Sequence, residues 1–203
     1  TATDVPVDIF HARYQFCERQ ARELQVQERY GPNAPFGGGR VLVATQVVEQ
    51  SLDLDFDWMV TQLCPADLLF QRLGRLHRHE RSRPPGFEQP VVSVILPKES
   101  DFGRHKYIYG NVRVMWRTKE MLMRNAQIDF PAAYRDWIER VYTEDDWPEE
   151  PDDIVQAWDK WNVKQRAAWE DAQQLARGEA TVFDDDDSIQ VFTRDGEMSL
   201  TIL

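Results

Sequence analysis

The sequence predicts an α/β fold in which a parallel sheet with flanking helices is followed by a mainly helical C-terminal part. Short β-branched apolar runs alternate with amphipathic segments over the first half of the chain, as in strands joined by helical crossovers. Beyond residue 97 the apolar residues recur mostly with the helical period. We therefore expect an α/β domain over 1–97, a helical linker over 98–146 and an acidic accessory domain over 147–203.

The α/β region is predicted to contain four strands and two helices. The turn-rich run from Gly31 to Gly39 ends the first helix, and Pro65 can start the second one, which we expect to carry the chain through Arg78. The expected strands cover residues 5–12, 40–46, 57–64 and 91–96, and the first helix covers residues 15–29.

The C-terminal part is predicted to hold helices over 107–125 and 131–143 and a long helix that begins at Asp152. A stripe at alternating four- and three-residue steps should pack inward along that helix. It comprises Ile154, Trp158, Trp161, Gln165, Ala168, Ala172 and Leu175. Trp158, Trp161 and Trp169 could stack on bases, but their helical spacing favours the core. Residues 198–203 are typical of a strand.

Composition favours a folded cytoplasmic protein. The chain has 203 residues, 42% of them hydrophobic, with seven tryptophans, which is enough apolar material for a core. No apolar run approaches the length of a bilayer span, and Thr1–Phe10 lacks the pattern of a signal peptide. Cys17 and Cys64 have no paired spacing, so we expect reduced thiols in the cytosol and no membrane contact.

The net charge of −11 is unevenly distributed. Residues 1–140 carry a net charge of +1, and residues 141–203 carry −12. Within the first part, five arginines crowd into residues 72–83 against a single acidic residue, Glu80. A low overall pI therefore does not exclude a polyanionic partner, because the binding surface can be local.

The segment Gln71–Arg78 carries the clearest chemical signal. Arg75 and Arg78 stand three residues apart after Gly74, and paired guanidiniums suit the stabilisation of charge on a phosphoryl group in transfer. A polar loop up to Asp53 follows the strand upstream, at the strand end where α/β folds bind ligands. Together, the two segments predict half of an ATP-driven motor site.

Simpler interpretations of nearby residues stay open at this stage. Asp53, Asp55 and Asp57 could be turn residues flanking an aromatic side chain. His77 and His79 are residue types that bind metals, but residues i and i+2 on a helix point apart and no cysteine or carboxylate partner is evident in the sequence. We predict no metal site in this chain.

Two segments resemble motifs V and VI of superfamily 2 helicases. They are Ala44–Asp55 and Leu69–His79, the latter containing the Q-R-x-G-R-x-x-R pattern. Together with Thr61–Pro65, these segments are similar in sequence to the helicase–nuclease of type I CRISPR systems, in its I-E form. The Cascade surveillance complex recruits that helicase–nuclease. Phe10–Tyr14 resembles the motif that precedes motif V. The resemblance implies an incomplete second RecA-like domain over 1–97.

The resemblance also implies site residues and cofactors. Arg75 and Arg78 would act as arginine fingers on ATP, with Gln71 coupling that contact to domain closure. Asp53, Gly74 and Arg72 would lie at the nucleotide. The residues expected at single-stranded DNA are Thr45, Gln46, Gln50, Ser51 and Arg13. ATP and Mg²⁺ would be held mainly by a first motor domain, and the nuclease metal would lie outside this chain.

The chain departs from the family pattern in what it omits. It has no Gly-Lys-Thr/Ser P-loop, no Asp-Glu-x-His box and no His-Asp pair. We therefore expect a C-terminal fragment that is inactive alone and works with the rest of the helicase–nuclease polypeptide. One alternative is a stand-alone module that docks on a surveillance complex through acidic residues such as Asp184–Asp187. Another is a different superfamily 2 DNA translocase.

Overall fold

A computed structural model describes residues 5–35, 38–49, 52–98, 102–176, 190–192 and 199–201. The chain divides into two compact units, one of residues 1–62 and 67–95, the other of residues 63–66 and 96–203. No helix in the described ranges is long and apolar enough to cross a membrane. The bounds of the three predicted domains stay predictions.

The first unit contains two pairs of parallel strands. Strand β1 (Val7–Phe10) pairs with β2 (Val41–Ala44), and helix α1 (Phe16–Tyr30) connects them. Strand β3 (Trp58–Gln62) pairs with β4 (Val91–Ile95), and helix α2 (Ala66–Leu73) lies between them in sequence. The predicted alternation of strands and helices is confirmed. Parallel strands need such crossover connections, which explains why the helices lie between them.

The core of the first unit packs α1 against the strand ends and the loop after β2. Its buried members are Phe10, Val26, Tyr30, Val47, Leu52 and Leu54. Gly31 closes α1 at a close approach, since a Cβ there would lie 2.3 Å from the Gln27 carbonyl oxygen and 3.2 Å from that of Asp53. This contact brings the loop after β2 against the end of the helix.

One face of each strand pair is apolar and exposed. Val7 and Ile9 on β1 and Val41 and Val43 on β2 are each about half exposed. They share a face because alternate residues of a strand point the same way and the register sets Val7 beside Val41. On the second pair, the corresponding exposed residues are Trp58, Val60, Val91 and Ile95.

The second unit is mainly helical, as predicted. Helix α3 (His105–Tyr109) and α4 (Val112–Arg124) replace the single helix expected over 107–125. Gly110, at a φ of +69°, separates them, and the Asn111 side chain accepts a hydrogen bond from the Val114 amide at 3.1 Å to start α4. Helix α5 (Tyr134–Tyr142) follows.

Helix α6 (Asp152–Ala176) matches the predicted long helix. Its stripe is buried at Ile154, while Trp158 and Trp161 are half-buried and stack on each other with ring centroids 5.2 Å apart. Ala168 and Trp169 are exposed, so the predicted core stripe weakens along the helix. The side chain of Leu175 lies outside the described residues.

A short antiparallel pair lies near the end of the chain. Strand β6 (Ser199–Thr201) falls within the predicted strand, and it pairs with β5 (Gln190–Phe192), which the sequence pattern did not reveal. The predicted acidic loop, Asp184–Asp187, lies outside the described residues.

Candidate functional site

Backbone pairing brings the two predicted motor segments together. The Phe56 amide donates to the Arg75 carbonyl at 2.8 Å, and the His77 amide donates to the Phe56 carbonyl at 3.1 Å. Phe56 and Leu76 thereby form a parallel bridge. The loop after β2 and the segment after α2 are adjacent, so their side chains can act on one ligand.

Helix α2 ends earlier than the sequence predicted. It stops at Leu73, and Gly74 is followed by the pairing of Leu76 with Phe56 and by His77 at a φ of +44°. The tertiary pairing outweighs the helical tendency of the segment. Arg75 and Arg78 therefore project from an irregular segment, and the helical spacing assumed for His77 and His79 does not apply.

Arg72 is largely enclosed and is held by an ion pair with Glu49. Its Nε lies 2.7 Å from Glu49 Oε1, its Nη2 lies 2.5 Å from the same oxygen, and its Nη1 donates to Thr61 Oγ1 at 2.6 Å. The side chains of Arg72 and Glu49 are only 12% and 6% exposed. Burial raises the pKa of Glu49, although the charge and hydrogen bonds of Arg72 act to lower it.

Arg75 is held loosely. Its Nη2 donates to the Glu49 carbonyl oxygen at 3.4 Å, which is a long hydrogen bond. Its Nε is buried without a hydrogen-bond partner in the structure. A buried guanidinium nitrogen without an acceptor is costly, so an anionic ligand at this position would satisfy it.

Arg78 is held by an ion pair at the surface. Its Nε lies 2.7 Å from Asp53 Oδ1, and the same oxygen lies 2.9 Å from His79 Nε2. The side chains of Arg78 and Asp53 are 39% and 45% exposed, which makes this pair weak. The Arg78 backbone amide donates to Asp55 Oδ1 at 2.9 Å and fixes the chain at this point.

Asp55 and Asp57 bind the last arginines of the basic cluster, which comprises the five arginines of residues 72–83. The fully buried Asp55 carboxylate lies 2.9 Å from both Arg81 Nε and Arg83 Nη2, and Asp57 Oδ1 lies 2.9 Å from Arg83 Nη1. Burial lowers the pKa of Arg83, but the hydrogen bonds to Asp57 and Asp55 outweigh it and raise the pKa overall. These aspartates are therefore arginine partners, beyond the turn role that the sequence left open.

The other predicted site residues lie on the surface or outside the described residues. Gln71 is exposed on α2, and Gly74 donates its amide to the Phe70 carbonyl at 2.9 Å. The residues predicted to contact DNA that are described are all exposed, namely Thr45, Gln46 and Arg13. Gln50 and Ser51 lie outside the described residues. No group of three or more potential metal ligands occurs in the ranges that the structure covers.

Sequence reasoning missed a buried triad in the second unit. Arg113 and Arg117 on α4 both bond Glu150, with Arg113 Nη2 2.7 Å from Oε2 and the Arg117 Nε also hydrogen-bonded. The three side chains are at most 1% exposed. Although burial raises the pKa of Glu150, the two arginines outweigh it and lower the pKa overall. The available signal was two arginines four residues apart in an otherwise apolar run.

Comparison with known proteins places the chain in a family. Residues 1–81 match the family described as CRISPR-associated nuclease/helicase Cas3, C-terminal. The chain is 48% identical to the CRISPR-associated endonuclease/helicase Cas3 of Escherichia coli (strain K12), over 99% of its own length and 23% of that relative. Residues 1–81 belong to the Cas3 C-terminal family. The predicted resemblance to the type I CRISPR helicase–nuclease is confirmed.

Solved Cas3 structures share the fold. The crystal structure of T. fusca Cas3-AMPPNP is similar with a TM-score of 0.72 and 29% identity, over 84% of this chain and 20% of that chain. A chain of a pre-nicking CRISPR RNA-guided surveillance complex is similar with a TM-score of 0.68 and 29% identity, over 81% of this chain and 21% of that chain. The predicted α/β fold is thus confirmed, and the chain spans about a quarter or less of each relative described.

Proposed function

We propose that this chain supplies the second motor domain of an ATP-dependent single-stranded-DNA translocase that feeds a nuclease in CRISPR interference. The observation that carries the proposal is the pairing of Phe56 with Leu76, which sets Arg75 and Arg78 beside the loop after β2. The names of its relatives, which combine helicase and nuclease, support the same activity. A first motor domain in another part of the polypeptide would hold the nucleotide.

The two arginines differ in how they would meet ATP. The unpartnered Nε of Arg75 fits an anionic oxygen, and Arg78 is released by breaking one exposed ion pair with Asp53. ATP supplies the phosphoryl group whose developing charge these guanidiniums would stabilise. Gln71, on the exposed side of α2, would couple this contact to closure of the cleft, so hydrolysis would follow a domain movement.

The remaining residues would hold the nucleotide and the strand. Asp53, once freed from Arg78 and His79, would accept hydrogen bonds from the ribose, and Gly74 would lie at the nucleotide. Thr45 and Gln46, exposed after β2, would contact the phosphates of single-stranded DNA together with Arg13, Gln50 and Ser51. We place Mg²⁺ and the nuclease metal on other parts of the polypeptide.

The proposed partner is the Cascade surveillance complex. Support comes from the similarity to a chain of a CRISPR RNA-guided surveillance complex in a pre-nicking state. The chain alone is expected to hydrolyse no ATP, because one wall of the nucleotide cleft would belong to the first motor domain.

The test is alanine substitution of Arg75 and of Arg78 in the intact polypeptide that carries this chain. Each variant should lose DNA-stimulated ATPase by about 10³-fold or more, the range known for arginine fingers. Arg135→Ala is the control, because that side chain is 87% exposed and its ion pair is with Glu139 on the same helix. ATPase that persists in both variants, with unchanged circular dichroism, would overturn the proposal.

A further inference from the structure

The contact between Glu49 and Arg72 links the two predicted motor segments through side chains. Glu49 ends the 3₁₀ turn Gln46–Glu49 in the loop after β2, and Arg72 lies in the last turn of α2. Glu49 Oε1 lies 2.7 Å from Arg72 Nε and 2.5 Å from Arg72 Nη2. The pair is nearly closed to solvent, and the planar guanidinium restricts its geometry.

Both ends of this contact are tied to further parts of the unit. Arg72 Nη1 donates to Thr61 Oγ1 at 2.6 Å and to the Gln62 carbonyl at 3.3 Å, at the end of β3. The Glu49 backbone carbonyl in turn accepts a hydrogen bond from Arg75 Nη2 at 3.4 Å. One residue of the loop therefore pairs with Arg72 through its carboxylate and contacts Arg75 through a long hydrogen bond to its carbonyl oxygen.

Stability alone is a poor reason for this arrangement. A buried ion pair loses hydration on both sides, and apolar residues of similar volume often serve stability as well or better. What the pair provides is a fixed direction, since the guanidinium accepts partners in one plane. A shift of the 46–49 turn would move the carbonyl acceptor of Arg75 together with the anchor of Arg72.

We infer that Glu49 and Arg72 are positioning residues that couple the DNA-facing loop to the arginine finger Arg75. The inference rests on the proposed function and deepens it. It gives Arg72 an indirect role, in place of the nucleotide contact expected from the sequence. Strand binding at Thr45 and Gln46 would move the turn, and Glu49 would transmit that movement to Arg75 across the interior of the unit.

The experiment compares basal and DNA-stimulated ATPase in the intact polypeptide for Glu49→Gln, Arg72→Gln and the double variant. Glu49→Gln keeps the volume and a hydrogen-bond acceptor but removes the charge. It should leave basal ATPase within about twofold and reduce the stimulation ratio about tenfold, the size of a coupling of roughly 1.4 kcal/mol. The double variant should lose no more stimulation than either single variant, because both remove the same link.

Glu23→Gln is the matched control, since Glu23 forms an ion pair with Arg19 on α1 in which both side chains are about one-third exposed. It should change neither rate. A wild-type stimulation ratio in Glu49→Gln, or additive losses in the double variant, would overturn the inference. So would an equal fall in basal and stimulated rates, which indicates a merely structural role. Failure of the proposed function is distinguishable, because it appears as ATPase that survives Arg75→Ala.

Discussion

The Asp55 carboxylate offers the sharpest test of how the basic cluster is held. It is fully buried, and it is shared between Arg83 Nη2 at 2.9 and 3.1 Å, Arg81 Nε at 2.9 Å and the Arg78 amide at 2.9 Å. Replacing Asp55 by asparagine keeps the shape and one acceptor oxygen. It removes the charge and turns an amide NH₂ toward cationic neighbours.

The expected cost follows from burial. Removing one partner of a buried ion pair costs about 3–5 kcal/mol, because the other charge is left uncompensated. Arg83 is 7% exposed but keeps Asp57 at 2.9 Å and the His79 carbonyl at 2.8 Å. We therefore expect the lower end, about 3 kcal/mol, which is a large share of the ~5–15 kcal/mol stability of a typical domain.

Amide hydrogen exchange measured by mass spectrometry can show where in the chain this stability is lost. Exchange in peptides from residues 52–83 should accelerate about a hundredfold, as a 3 kcal/mol loss of opening free energy implies. Peptides from residues 112–150, in the second unit, should exchange as in the wild type. Asp57→Asn is the matched control, because Asp57 is 33% exposed and its loss should cost only about 1 kcal/mol.

Two results would refute this reasoning. The first is an Asp55→Asn variant that exchanges no faster over 52–83 than Asp57→Asn, since burial then does not set the cost. The second is equal acceleration in both units, which would mean that the substitution perturbs the whole chain.

Two further predictions concern buried carboxylates whose contributions to stability change in opposite directions with pH. Glu150→Gln should cost about 3–5 kcal/mol in the second unit, because it leaves two buried guanidiniums short of a partner, while Glu149→Gln, at a 40% exposed side chain, should have no measurable effect. The pKa of Glu150 is lowered, so its contribution is present above the ordinary carboxyl pKa and is lost as the pH falls through the lowered value, and the difference from Glu150→Gln should shrink in acid. The pKa of Glu49 is raised, so its contribution is present in acid and is lost as the pH rises through the raised value. The free energy of unfolding measured in urea should therefore fall for the wild type, relative to Glu49→Gln, as the pH rises from about 4 through the raised pKa. A difference between the two proteins that does not change with pH would contradict this prediction.

The fold was predictable where local pattern and burial agree. β-branched runs such as Val91–Ile95 form strands, and α1 matches its predicted bounds within one residue because Gly31 leaves no room for a side chain at its end. The end of α2 was not predictable in this way. Its continuation is helical by local propensity, and only the pairing of Leu76 with Phe56, twenty residues away, stops it.

The residues of the candidate site were predictable, but which of its arginines are held by buried partners was not. The sequence gives Arg72 and Arg75 the same appearance, and only packing shows that one is enclosed by Glu49 and Thr61 while the other keeps an unpartnered nitrogen. The same limit hid Arg113 and Arg117, because a charged residue is normally expected at the surface and these two are buried by their shared carboxylate.

The distribution of carboxylates decides which arginines of the cluster can take an external anion. Arg72, Arg81 and Arg83 face Glu49, Asp55 and Asp57, carboxylates that are at most about one-third exposed, so an external anion would compete with a charged partner already in place. Among the described residues, Arg78 has the half-exposed Asp53 as its ion-pair partner, and an exposed pair is worth about 1 kcal/mol or less. Arg75 has a backbone carbonyl as its hydrogen-bond acceptor. A phosphoryl group arriving at this surface would therefore meet one arginine without a carboxylate partner and one that is cheaply released. The Q-R-x-G-R-x-x-R pattern holds three arginines, and the resemblance to motif VI assigns the finger role to these two, so the distribution of carboxylates supports that assignment.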